Sequence, residues 1–186
     1  MDVQQGIVDR FPDASGTMLD ALDRAARAAR SAGIPVVYVR VAFRDDLPEI
    51  SRRNRSFSAI ADAGRGFGDT DPASQIHPAI AAQPGDIVVV KKRVSAFTGS
   101  DLDVVLRSLN VESLVLTGIA TSGVVLSTLR EAADLDFDLT VLRDGCADAD
   151  GEVHRVLLDK VFPRQAAILR VDEWTELIST ASSTGD

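Results

Sequence analysis

Four short apolar, β-branched runs punctuate the chain: Val36-Val37-Tyr38-Val39, Ile87-Val88-Val89-Val90, Leu114-Val115-Leu116 and Leu139-Thr140-Val141-Leu142. A weaker fifth run is Ala167-Ile168-Leu169. All are continuous rather than alternating, the pattern of strands covered on both faces in a parallel sheet. Between them the apolar positions change to helical spacing. Met18, Leu19, Leu22, Ala25, Ala26 and Ala29 share one helical face, and Gly33-Ile34-Pro35 stops that helix before the next strand. Leu102, Val105, Leu106 and Leu109 mark a shorter helix, with Ser100 three residues before Asp103 as a capping-box-like start. Val124, Val125, Leu129, Ala132 and Ala133 belong to a helix apolar around much of its girth, which predicts burial. Val153, Val156, Leu157 and Val161 give a further amphipathic helix, ended by Pro163.

Strand and helix alternate, so the pattern predicts a doubly wound, three-layer α/β/α domain with a mainly parallel sheet over residues 1–178. The Ser/Thr-rich tail over 179–186 is expected to be frayed. Residues 43–85 break the rhythm with Arg52-Arg53-Asn54-Arg55 and Gly64-Arg65-Gly66-Phe67-Gly68. A stretch of that length is expected to act as a lid or packing arm. A doubly wound domain normally opens with a strand, yet only Met1 precedes Asp2, so the first strand reads as truncated. The expectation is that the authentic chain starts upstream, with about six apolar residues completing that strand.

Composition narrows the function classes. The chain has 186 residues, 45% hydrophobic and 26% charged, the composition of one globular domain. Its 20 Lys and Arg against 28 Asp and Glu leave a net charge of −8, which argues against nucleic acid as a partner. The single cysteine, Cys146, makes no internal disulfide, so a reducing cytoplasm is the expected compartment. No apolar run approaches the ~20 residues of a membrane span, and Met1-Asp2-Val3-Gln4-Gln5 lacks the shape of a signal peptide.

Ligands of open α/β sheets bind beyond the carboxyl ends of the strands. The polar residues placed there are Lys91, Lys92 and Arg93, then Gly118-Ile119-Ala120-Thr121, then Asp144-Gly145-Cys146, and Asp2 if a strand precedes it. An aspartate, a lysine and the helix start at Thr121 to Val125 can converge on one crevice. A carboxylate beside an ammonium serves proton transfer, and free amides at a helix start hold an oxyanion. Each residue also has a plain structural reading. Asp2 can be a solvated terminal residue, Lys92 a strand-end charge, Thr121 a helix N-cap, Asp144 a turn residue and Cys146 a small buried apolar group. His77 and His154 read as structural or solvent-facing, and Arg52 to Arg55 as a solvated loop.

The same residues carry a family resemblance. Met1-Asp2-Val3-Gln4-Gln5-Gly6-Ile7-Val8 resembles the D-x-Q opening of the isochorismatase-like cysteine hydrolases. Lys91-Lys92-Arg93-Val94-Ser95-Ala96-Phe97 is similar to their K-x-R-x-S-A-F segment, and Gly118-Ile119-Ala120-Thr121-Ser122-Gly123-Val124-Val125 to their G-x-x-T-x-x-C-V segment. Three motifs in the family's order make a specific signal. The resemblance implies that Asp2 is the general base and Lys91 the catalytic lysine. It puts a non-proline cis peptide and the oxyanion turn at Ile119, Ala120 and Thr121, and Phe97 and Gly123 at the substrate. It also implies a homo-oligomer acting on a small molecule without a cofactor, and the 43–85 arm is long enough to cross to a neighbour. With two histidines far apart and no His/Cys cluster, the zinc site of the nicotinamidase branch is not visible, and no metal is expected.

This sequence departs from the family at the nucleophile. Val124 stands where the cysteine belongs, and an isopropyl group has neither a proton to give nor a lone pair to attack with. A thioester route through position 124 is closed. Members that hydrolyse isochorismate are similar in lacking the cysteine, and they cleave a vinyl ether by protonating its carbon. That chemistry requires a protonated aspartate. Lys91 lowers the Asp2 pKa and burial raises it, and the sequence leaves the balance open. The leading expectation is therefore a hydrolase working through Asp2 and Lys91. The alternatives are a catalytically inactive member that binds a small molecule or a partner, and a protein of another class that shares only the α/β pattern.

Overall fold

Each apolar run becomes a strand in the computed structural model, which describes residues 1–11, 15–62 and 67–183. Strands β1 (Val37–Val41) and β2 (Ile87–Lys91) pair in parallel, from Val37 opposite Ile87 to Val41 opposite Lys91. Strands β3 (Ser113–Ile119), β4 (Asp138–Ala147) and β5 (Ala167–Leu169) form a second parallel sheet in that order. The two sheets are not joined as one ladder. Met1 and Asp2 bridge them at the carboxyl end: Asp2 N–H donates to Val39 O at 2.8 Å, and Ile119 N–H to Met1 O at 3.2 Å.

Helices cover both faces. Helix α1 (Gln5–Val8) follows the bridge, and α2 (Ser15–Ser31) lies with α7 (Val171–Ser183) on one face. There Ala21, Ala25 and Ala29 of α2 pack with Leu142, Val171 and Trp174, the small alanines letting the helix approach β4 closely. On the other face lie α4 (Leu102–Ser108) and α5 (Leu126–Asp134). Their Leu106, Leu129 and Ala132 pack with Val89, Leu116, Leu139 and Val141 in the largest apolar cluster. Along β4, Val141 faces that cluster and Leu142 the opposite one, so the strand is buried on both sides. Helix α6 (Gly151–Val156) starts on the Asp150 side chain, which accepts from Glu152 and Val153 N–H.

Several boundaries differ from the sequence pattern for identifiable reasons. Strand β4 extends to Ala147, so Asp144, Gly145 and Cys146 lie within it rather than after it. The α4 start is not a capping box. Asp101 occupies the cap position without a side-chain bond, while Ser100 Oγ accepts from Leu102 N–H and donates to Ala96 O. Nor is Thr121 an N-cap: Ala120 precedes a single π-helical turn, Thr121–Val125, that leads into α5. A second π-helical turn, Leu157–Val161, carries α6 on to a 3-10 turn, Phe162–Arg164, that contains Pro163. The tail expected to fray from Ser179 is helical as far as Ser183, with Ser179 Oγ donating to Thr175 O. Residues 184–186 lie outside the described residues.

The 43–85 arm folds back on its own chain. It carries helix α3 (Arg55–Asp62), and its Phe43, Phe57 and Phe67 form a cluster with Val41. The Phe43 and Phe57 rings meet edge to face at 5.7 Å. At about 1.5–3 kcal/mol for each large apolar side chain buried, the three rings fasten the arm to β1. Gly64, Arg65 and Gly66 of its glycine-rich segment lie outside the described residues.

Candidate active site

Lys91 is the last residue of β2, and Asp2 follows the residue that bridges β3 to the gap beside β1. The two meet there, Lys91 Nζ standing 2.8 Å from Asp2 Oδ2. Both are buried, Lys91 with 2% of its side chain exposed and Asp2 with 9%. The ammonium also donates to Arg93 O at 2.9 Å and Val94 O at 2.8 Å, so all three of its protons are placed. The carboxylate is less complete. Asp2 Oδ1 is buried with no hydrogen-bond partner.

The electrostatic question left open by the sequence has a direction here. Burial pushes the Asp2 carboxyl above the ordinary carboxylate range, outweighing the opposing pull of the Lys91 charge and its hydrogen bond. Asp2 also has φ of 56°, a left-handed conformation that aspartate tolerates better than most residues.

The turn after β3 brings its own constraints. The Ile119–Ala120 peptide is cis. Ser122 N–H donates to Asp148 Oδ2 at 2.7 Å, and the Gly123 and Val125 amides both donate to Ala120 O. Three amides of this helix start are thus already in use. Thr121 is fully buried, its hydroxyl donating to Ala147 O at 3.1 Å and standing 2.8 Å from His154 Nδ1. With the hydroxyl committed to Ala147, the ring donates from Nδ1 to Thr121 Oγ1.

Val124 is 2% exposed and lies in the same apolar cluster as Phe97, Ala96 and Cys146, with Met1 packed against it. Phe97 stacks on Phe137 at 6.2 Å, a core contact. Gly123 has only the Ala120 Cβ near the place where its own Cβ would be, at 3.8 Å. Lys92 points away from the pair: its Nζ donates to Ala42 O at 2.6 Å, and with Arg93 it lines a cleft of about 510 Å³ against Glu49 and Ile50.

Other residues take structural positions. Asp144 accepts from Val171 N–H at 2.9 Å and so fixes the start of α7. His77 accepts from Ala79 N–H. Burial pushes the Cys146 thiol up to about 12, so it is not a nucleophile at neutral pH.

One residue without an assigned role in the sequence reading is Gln4. Fully buried, its amide donates to Val41 O and Ser74 O and accepts from Val41 N–H, tying β1 to the arm directly behind Asp2. The signal was its place two residues after Asp2, as the glutamine of the D-x-Q segment.

Comparison with known proteins follows this geometry. The Isochorismatase domain matches residues 1–173. The isochorismatase family protein YecD of Escherichia coli O157:H7 is 32% identical over 183 residues, covering 93% of this chain and 90% of that protein. Ureidoacrylate amidohydrolase RutB of Pseudomonas syringae pv. syringae (strain B728a) is 31% identical over 181 residues, 89% of this chain and 69% of its own. Among solved structures, an isochorismatase family protein from Burkholderia thailandensis superposes with a TM-score of 0.82 at 28% identity, over 96% of this chain and 92% of that one. Sequence and fold agree across nearly the whole chain, and the protein is a hydrolase of the isochorismatase family.

Proposed function

We propose that this hydrolase cleaves a small vinyl ether by acid catalysis from Asp2, without a covalent enzyme intermediate. The observation that carries the reading is the asymmetric carboxyl group: Oδ2 is held by Lys91, while Oδ1 is buried and unpartnered. Burial favours the protonated form, so Oδ1 can carry a proton to a substrate atom. Transfer of that proton to the alkene carbon forms a C–H bond and leaves an oxocarbenium ion. Water adds to the cation, and the resulting hemiketal breaks its C–O bond to release a ketone and an alcohol. The proton lost by water returns to Asp2. Lys91 holds the carboxylate in place and balances its charge after the transfer.

Two features support this route over acyl transfer. Val124 offers no nucleophile where the family's motif has cysteine, and the Ser122, Gly123 and Val125 amides are already bonded. Amide hydrolysis is the second reading, favoured by the likeness to ureidoacrylate amidohydrolase. It requires water as the direct nucleophile.

A substrate panel of vinyl ethers, amides and esters, run with wild type, Asp2→Asn and Lys91→Ala, tests the proposal. Turnover is expected for a vinyl ether alone, reduced at least ~100-fold in Asp2→Asn, as loss of a general acid implies. Amide turnover by the wild type would establish the second reading instead. No turnover of any class would leave the inactive, ligand-binding member of the fold.

A further inference from the structure

Helix α6 is complete without His154. The Asp150 side chain caps its first turn, and Leu157 and Leu158, in the turn that follows, carry its apolar contacts to the core. The His154 side chain instead makes its one hydrogen bond among the described residues to Thr121, with Nδ1 standing 2.8 Å from Oγ1. The residue also lines a cleft of about 680 Å³ between α2, β4 and α6, beside Arg143, Asp144 and Asp148.

A threonine hydroxyl has one proton, and its neighbours decide where that proton points. Thr121 Oγ1 lies 3.1 Å from Ala147 O, which can only accept, and beside a ring nitrogen that can donate or accept. With a proton on Nδ1 the ring donates, and the hydroxyl proton goes to Ala147 O. With the proton on Nε2 instead, Nδ1 competes for the hydroxyl proton and the bond to Ala147 is lost. The imidazolium carries a proton on both nitrogens, so it keeps the first arrangement.

The Thr121–Ala147 bond closes the end of a ladder that anchors both neighbours of Asp2. Ile119 and Ala147 are the last pair of β3 and β4, and Thr121 stands two residues after Ile119. Ile119 N–H donates to Met1 O at 3.2 Å, and Val3 shares an apolar cluster with Ile119 and Ala147. Asp2 is then held between them, by its N–H on Val39 O and by Lys91 on Oδ2.

We propose that His154 is a positioning residue for Asp2: its Nδ1–H directs the Thr121 hydroxyl to Ala147 O, and that bond fixes the Ile119–Ala147 pair on which Met1 and Val3 rest. The consequence for turnover rests on Asp2 being the acid of the proposed reaction. Burial is what favours the protonated carboxyl, so a small displacement of its backbone admits water and lets the Lys91 charge prevail. His154 thus acts on Asp2 without touching the substrate.

His154→Ala, His154→Asn, Thr121→Val and the His154→Ala/Thr121→Val double variant test this. Asparagine places an amide nitrogen where Nδ1 stands and can take over the donation. Long-range nitrogen–proton NMR spectra of the wild type should show neutral His154 protonated at Nδ1. In His154→Ala the midpoint of the Asp2 carboxyl, followed by carbon-detected NMR, should fall by about one pH unit or more. His154→Asn should keep the wild-type midpoint. Loss of the imidazolium charge alone would raise the midpoint, so the direction separates positioning from electrostatics. Turnover of the accepted substrate should lose kcat about 10- to 100-fold in His154→Ala at unchanged KM, and asparagine should restore it. Thr121→Val should reproduce these effects, and the double variant should be no worse than Thr121→Val alone. A lower Tm in His154→Ala with the Asp2 midpoint unmoved or raised would make His154 a plain tether of α6 and overturn the proposal. So would a wild-type ring protonated at Nε2, an asparagine variant as impaired as the alanine one, or additive losses in the double variant. If no substrate class is turned over, the vinyl-ether reading fails, while the Asp2 midpoint still decides for or against His154.

Discussion

The chemistry rests on which protons are already spoken for. Lys91 has given all of its own to Asp2, Arg93 O and Val94 O, whereas Asp2 keeps one oxygen free. In the proposed reaction that difference assigns the proton transfer to Asp2 and leaves Lys91 as its fixed counter-charge. Removing either partner would leave a buried polar group without its hydrogen-bond partner, at about 1–3 kcal/mol, so stability must be measured beside activity in every variant of the pair. His154 offers a separate pH readout. Burial pushes its pKa below 6.5, more than Asp148 and Asp159 push it up, and Arg143 adds to the lowering. A depressed pKa gives stability that is present above the unfolded value of 6.5 and lost as pH falls through the folded value. His154→Gln, which keeps a donor for Thr121, should therefore flatten the decline of Tm with pH below 6.5. Superimposable acid limbs for the two proteins would contradict this. The sequence showed Asp2 and Lys91 as candidates through their motifs. It did not reveal the Thr121–His154 bond, because residues 33 apart in the chain meet only when α6 docks.

At the level of elements, the site depends on how two residues seat on the end of β3. Gly118 has φ of +146°, and a Cβ there would stand 2.2 Å from Met1 O. Gly118→Ala should displace Met1, break its bonds to Thr117 and Ile119, and carry Asp2 away from Lys91. The expected result is a loss of about 1–3 kcal/mol in denaturant unfolding together with activity at the level of Asp2→Asn. Gly16→Ala in α2 is the control, since nothing lies within 4 Å of the added methyl, and it should be neutral or stabilising. A Gly118→Ala protein as stable and active as wild type would show that the Met1–Asp2 bridge does not seat the site. Strand and helix identities were legible from apolar spacing, since two-sided burial demands continuous runs and one-sided burial demands helical ones. Boundaries were less so. Strand β4 runs on through Asp144, Gly145 and Cys146 because β3 continues beside it, with a shift of register between Leu116 and Gly118. Nothing local in Asp-Gly-Cys announces that.

For the whole molecule, the arm decides what surface is left for other copies. Its three phenylalanines are used up against Val41 of the same chain. We propose that the homo-oligomer expected from the family resemblance forms through another surface. Sedimentation velocity at micromolar concentration should then show species larger than one chain, and it should still show them after Arg52→Ala and Arg53→Ala on the exposed arm. A single-chain species would overturn the expectation. The fold class, the order of elements and the three motifs were all determined by the sequence alone, because periodicity and motif spacing are properties of neighbours along the chain. Only the tertiary structure decided that burial raises the Asp2 carboxyl against the pull of Lys91, that Thr121 bonds across to His154 instead of capping its helix, and that Met1 and Asp2 bridge the two sheets. Each of these outcomes turns on burial and on partners far apart in sequence. The desolvation of a carboxyl group and the pairing of a strand edge are set by what the rest of the chain brings around them.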